Sequence, residues 1–243
     1  MNDIPCRRIS LAGSAVAVVF AALLPTVVTA VYFVALADCA TWLQQIAWAV
    51  GKTLQFGFPA FWGVRVQREP LQLMPGQTRR GWEAGAISGA LISLAILALY
   101  HLWLAPAGIF DGSVAAMRAK LAGMGLDSPG RYIAFGVFLS VAHSGLEEYY
   151  FRWFLFGQMR RLTPFGAATI LSSAAFAAHH VLVLAVYFGW TSPWTWLCVA
   201  GVAVGGVIWA WMYERTGSLF GPWLSHLLVD ATILFIGYDL LLM

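Results

Sequence analysis

Charge is scarce in this chain of 243 residues: 10% of them are Asp, Glu, Lys or Arg, while 60% are hydrophobic. A soluble domain carries roughly a quarter charged residues, so water is not the main solvent of this one. Cysteine is scarce too. Cys6, Cys39 and Cys198 form no C-x-x-C or similar metal spacing and are too few for a disulfide framework, which leaves a lone Cys39 to Cys198 bridge to consider. The chain has no H-E-x-x-H, which removes the usual helical zinc-peptidase arrangement, and no G-x-S-x-G surrounds Ser144 and Gly145. Asp239, near the end of the last apolar run, has no clear second aspartate for an aspartyl mechanism. The net charge of +3 lies in loops and forms no stripe, so a nucleic-acid partner is not expected. No internal repeat with paired broken helices, the pattern of many carriers, is found.

What the chain has in quantity is apolar sequence gathered into runs near or above the roughly 18 to 20 residues that cross a hydrocarbon core. Such runs lie at 9–36, 42–64, 84–104, 132–156, 165–188, 194–213 and 219–242. The expected fold is all-α, a polytopic transmembrane helical bundle of about seven spans. Arg7 and Arg8 precede the first run as they would a signal sequence, but the run is too long for a signal core and lacks a small-residue cleavage pattern. It reads as a retained helix. Gly85 with Gly89 and Gly201 with Gly205 are spaced to let helix backbones approach closely. Tryptophans such as Trp42, Trp82, Trp190, Trp194 and Trp223 read as interfacial anchors.

Basic residues flank the spans unequally. Arg7, Arg8, Arg65, Arg68, Arg79, Arg80, Arg160, Arg161 and Arg215 fall on one side and outnumber Arg118, Lys120 and Arg131 on the other. Positively charged loops stay on the cytoplasmic side, so the N-terminus is expected inside. Compact size and short loops suit an integral protein of a prokaryotic cytoplasmic membrane. Residues 1–130 are expected to form N-terminal transmembrane helices and loops, and residues 131–243 a catalytic helical core.

Ionisable groups inside a bilayer are costly, so each one there is a candidate for function. The fourth run carries His143, Glu147, Glu148 and Arg152, the fifth His179 and His180, and the seventh His226 and Asp230; Lys52 and His101 stand apart. On a helix Glu148 and Arg152 share a face one turn apart, acid before base, as an ion pair prefers. Glu147 has no arginine four residues away and is therefore the candidate general base. A purely structural reading, in which both acids pair with cations to hold the bundle, is the competing one. His101 and His143 are expected to be packing residues, although His143 lies one turn from Glu147. At most one of His179 and His180 is expected to face the site, because adjacent positions are rotated by about 100°.

At about 1.5 Å per residue from the cytoplasmic ends, Glu147 lies roughly 15 Å deep, His226 about 10 Å, Asp230 about 16 Å and His180 about 23 Å. His180 is several ångströms too deep unless its helix tilts or begins later. Phe176 and His180, like His226 and Asp230, are four apart and can face one cavity.

In order, these residues resemble the three motifs of the CaaX protease and bacteriocin-processing family of membrane peptidases. Glu147 to Arg152 is similar to its E-E-x-x-x-R element, Phe176 to His180 to F-x-x-x-H, and His226 to Asp230 to H-x-x-x-[N/D]. The resemblance covers about 140–231. It implies an intramembrane endopeptidase of glutamic type, hydrolysing a peptide bond of a membrane-associated protein or peptide without a covalent intermediate. Glu147 and His180 would activate water and His226 would stabilise the oxyanion, with Glu148, Arg152, Phe176 and Asp230 in support. Asp230 stands where prenyl-protein proteases have asparagine. A carboxylate would repel developing negative charge, so orienting or charging His226 is its expected part. No cofactor is expected. The alternatives are a zinc protease using the same residues and a proton-coupled transporter, since buried Glu, His, Asp and Arg also build proton relays. Prenylated proteins, bacteriocin leaders and C-terminal anchors of secreted proteins are all compatible substrates.

Overall fold

A computed structural model describes residues 11–68 and 79–243, and every regular element among them is helical. Arg7, Arg8, Cys6 and the loop with Pro70, Pro75 and Gly76 lie outside the described residues, as do the side chains of Arg79 and Arg80. There are eight continuous helices: α1 (11–35), α2 (41–67), α3 (79–104), α4 (Asp111–Gly123), α5 (129–162), α6 (Phe165–Phe188), α7 (Pro193–Thr216) and α8 (Phe220–Leu242). Cys39 and Cys198 are free thiols.

Local sequence sets the helix ends. Pro129 and Pro193 sit in the first turns of α5 and α7, where the proline φ suits a helix and its missing N–H costs nothing. Ser192 Oγ accepts a hydrogen bond from Trp194 N at 3.3 Å, capping the start of α7. Gly217 ends α7 at φ 64°, the left-handed conformation that only glycine adopts freely.

Among the described residues, five helical stretches are long and apolar enough to cross a membrane: Gly13–Ala35, Gly81–Leu104, Phe165–Phe188, Pro193–Thr216 and Phe220–Leu242. The expected count of about seven is not confirmed. Of the seven runs expected to span, the two that fall short are α2, which carries Gln44, Gln45, Lys52 and Gln55, and α5, which carries Glu147, Glu148 and Arg152. Their polar residues lower the hydropathy of otherwise sufficient lengths. Outward-facing Val16, Leu23, Leu54, Leu91, Leu94, Ile170 and Phe235 are well exposed, an apolar belt that hydrocarbon solvates and water would not. The chain is an integral membrane protein.

The closest helix pairing is α3 on α8, and it depends on missing side chains. A Cβ added at Gly85 would lie 2.5 Å from Gly221 O, and one at Gly221 would lie 2.6 Å from Gly81 O. At Gly89 it would meet Leu228 Cδ1 at 2.8 Å. The close approach expected at Gly85 and Gly89 is therefore present. In α7 the expectation fails at Gly201, which has open space around it; Gly206 instead packs on α6, its Cβ position 3.0 Å from Ser173 Cβ. Spacing alone does not say which face of a helix meets a neighbour. Among the N-terminal helices, α1 packs on α6 and α3 on α8.

Candidate active site

The backbone of α5 departs from α-helical winding on both sides of the two glutamates. Leu139–His143 and Tyr149–Phe156 are wide, π-type turns, and Ser144–Glu148 is a short α-helical piece between them. Wide turns inside helices mark places where the regular ladder gives way to a local requirement. Here Val141 O accepts a hydrogen bond from Trp223 Nε1 of α8 at 2.9 Å. The tryptophan expected to be an interfacial anchor ties α8 to α5 beside the site.

Glu148 is fully buried and held on both oxygens. Its Oε1 is 2.8 Å from His226 Nδ1, and its Oε2 forms an ion pair with Arg152 Nε at 3.0 Å. The expected pairing of Glu148 with Arg152 is present. The remaining Arg152 nitrogens have no hydrogen-bond acceptor among the described residues, and the guanidinium lies over the rings of Phe176 and Trp209, 4.6 and 5.1 Å from their centroids. Cation–π attraction in a dry interior takes the place of hydrogen bonds.

Glu147, also buried, is touched by imidazoles alone within ion-pair distance among the described residues. Its Oε1 is 3.3 Å from His143 Nε2 and 3.6 Å from His179 Nε2, and its Oε2 is 3.7 Å from His226 Nε2. Helices α5, α6 and α8 thus meet at one carboxylate. By a uniform rise His226 lies only about 9 Å along α8 from Phe220, so straight-helix counting does not level α8 with α5, but it does level α6, because α5 continues to Leu162, past the expected end at 156. Measured from there Glu147 lies about 22 Å in, and His179 lies about 21 Å along α6 from Phe165.

Of the adjacent histidines, the structure brings His179, not the expected His180, against Glu147. Both belong to the same cluster, however, with ring centroids 4.1 Å apart. His180 Nδ1 is 3.0 Å from Phe176 O. A carbonyl only accepts, so Nδ1 carries the hydrogen and Nε2 keeps its lone pair. The Phe176 ring packs edge-on against His180, at 5.0 Å between centroids, and also against His226, at 5.7 Å. His226 Nε2 stands 3.5 Å from Asp230 Oδ1, so the two side chains lie together on one face of α8.

Two further side chains reach the cluster, His143, which the sequence places one turn from Glu147, and Trp209, which it does not single out. His143 was expected to pack, yet it meets Glu147 directly; the i, i+4 spacing was the signal. Trp209 of α7 lies flat on His226, with centroids 4.1 Å apart, and donates from Nε1 to Ser225 Oγ at 3.0 Å. Nothing in an apolar helix rich in tryptophan singles it out. Lys52 of α2 approaches the cluster from the side, bonded to Gln55 Oε1 at 3.2 Å and lying over Trp48 and Phe56. As for a metal, no group of three His, Cys, Asp or Glu side chains among the described residues is arranged to hold one.

Residues 129–232 match the family model for type II CAAX prenyl endopeptidases, Rce1-like. This stretch of the chain is Rce1-like. No curated protein and no solved structure matches the chain. The Rce1-like stretch begins with α5 and ends inside α8, so it contains His143, both glutamates, both histidines of α6, Trp209, His226 and Asp230. It agrees with the resemblance read from the three motifs, and it supports an intramembrane endopeptidase. Helices α1 to α4 lie outside it.

Proposed function

We propose that this protein hydrolyses a peptide bond in a membrane-associated protein or peptide, using water activated by Glu147. One observation carries the reading: the two adjacent acids are differently engaged. Glu148 is fixed between Arg152 and His226, whereas among the described residues Glu147 has only imidazole nitrogens within ion-pair distance. A base must be free to take a proton, and an acid locked to a guanidinium is not. His180, with its Nε2 lone pair available, shares the activation of water. His226 donates from Nε2 towards the oxyanion that forms on the carbonyl, oriented by Glu148 at Nδ1 and by Asp230. No cofactor enters this reading.

The site is enclosed by helices, so a substrate that reaches it from within the bilayer suits it best. Arg160 pairs with Glu214 at 2.8 Å, which places the ends of α5 and α7 together with Arg215 at one end of the bundle. With Arg65 and Arg68, this basic end supports a cytoplasmic N-terminus, in a prokaryotic cytoplasmic membrane.

The test is cleavage of a panel of membrane-anchored peptides by the purified native protein, Glu147→Gln and Glu148→Gln, with and without a strong chelator. Chelator-resistant cleavage that Glu147→Gln abolishes is the expected result. Loss on chelation with recovery on adding zinc would move the chemistry to a metal, and full activity in Glu147→Gln would end the assignment of the base.

A further inference from the structure

His143 has no part in the mechanism just given. It closes the wide turn before the glutamates, with its Nε2 3.3 Å from Glu147 Oε1, and its ring stands edge-on to Phe56 of α2, 6.0 Å between centroids. Three imidazoles touch Glu147, and they are not equivalent. His226 is already in use at both nitrogens, held by Glu148 at Nδ1 and, beside Asp230, turned to the oxyanion at Nε2. The His179 side chain is 8% exposed and its Nδ1 is buried without a hydrogen-bond partner, so a proton placed on it has no onward path. The His143 side chain is 21% exposed, the most open of the three, and it shares its Glu147 oxygen with His179.

Amide hydrolysis requires an acid as well as a base. The nitrogen cannot leave as an anion at neutral pH and must gain a proton as the C–N bond breaks. We infer that His143 is that acid: it protonates the leaving nitrogen and is recharged by Glu147. The inference rests on the peptidase reading above. The water oxygen bonds to the carbonyl carbon, and one water proton passes to Glu147. The C–N bond then breaks with its electron pair on nitrogen, which takes the proton of His143. Glu147 returns the water's proton to His143 across their contact, and the second water proton stays with the new carboxyl group. Both side chains end as they began, as a carboxylate beside an imidazolium, with no other reactant consumed.

The discriminating measurement uses two membrane-anchored peptides of one sequence, one with an amide and one with an ester at the scissile position. An ester leaves more readily and depends less on an acid. In His143→Gln, amide cleavage is expected to fall by about 10²-fold or more while ester cleavage changes little. The ester rate also shows that the variant is folded. In His143→Ala, added imidazole is expected to restore part of the amide cleavage. Equal losses on both substrates, or an unchanged amide rate, overturn the proposal for His143 alone, provided Glu147→Gln is inactive. A native protein that cleaves neither substrate, or Glu147→Gln that cleaves both, overturns the peptidase reading and this proposal with it.

Discussion

Trp209 and His226 lie face to face, their ring centroids 4.1 Å apart and their planes 18° from parallel. The tryptophan is anchored through Ser225, which also accepts from Ser88 of α3 at 3.1 Å, so three helices fix the plane in which His226 can sit. A stacked imidazole is held in orientation, and an oxyanion donor is useful only in the right orientation.

Trp209→Phe keeps a ring under His226 but loses the hydrogen bond to Ser225, worth about 1 kcal/mol. Trp209→Ala loses the stacking and leaves a cavity as well, about 3 to 5 kcal/mol in all. The melting temperature in detergent is expected to fall in the order native, Phe, Ala. Cleavage should fall in the same order, with kcat affected more than KM. Wild-type kcat in Trp209→Ala would show that the stack does not position His226.

Arg152 and Glu148 form a buried pair, and removing one member strands the other. Arg152→Met is expected to cost about 3 to 5 kcal/mol, because Glu148 is left without its cation in the bundle interior. The double variant Arg152→Met with Glu148→Gln should be more stable than Arg152→Met alone. Additive losses in a denaturation series of the four proteins would contradict the pairing.

His179 and His180 should separate by chemistry. His180→Gln cannot present a basic ring nitrogen and is expected to lower kcat by about 10²-fold or more. His179→Gln can still donate to Glu147 through its amide and should keep much of the activity. Steady-state rates on one membrane peptide decide this, and the reverse ranking would transfer the role of His180 to His179.

The sequence held much of this site because its chemistry follows helix geometry. Glu148 with Arg152, and His226 with Asp230, are spaced one turn apart within single helices, and both contacts are present. Phe176 with His180 is a third such pair. What was not legible crosses between helices or departs from regular winding. The ring of Trp209 reaches His226 because α7 and α8 pack side by side, which no local pattern encodes. Glu147 sits between wide turns, so rotation angles counted at about 100° per residue drift across α5, and the rule that separates His179 from His180 decided less than it promised. Extra length in α5, past residue 156, levels Glu147 with His179, while a uniform rise per residue still leaves His226 too shallow. Polar residues have the same effect on span counting: Lys52 and Gln55 in α2, and the glutamates in α5, lower hydropathy in the helices that supply the interior.

The contact of α3 with α8 runs through Gly81, Gly85 and Gly221, backbone against backbone. Its glycine contacts carry no net charge, need no proton and contain no rotatable side chain, and the side chains beside them, Ser88 with Ser225 and Leu228 at Gly89, are uncharged. Ionic strength and headgroup charge therefore have little to act on at the point that fixes the depth of α8, and with it the height of His226 and Asp230. Bilayer thickness acts on it directly, because two helices locked in register must tilt or shift together when the hydrocarbon core thickens or thins. Activity reconstituted in lipids of graded acyl-chain length should thus vary more than activity in lipids of graded charge, and the protein would read the membrane as a length.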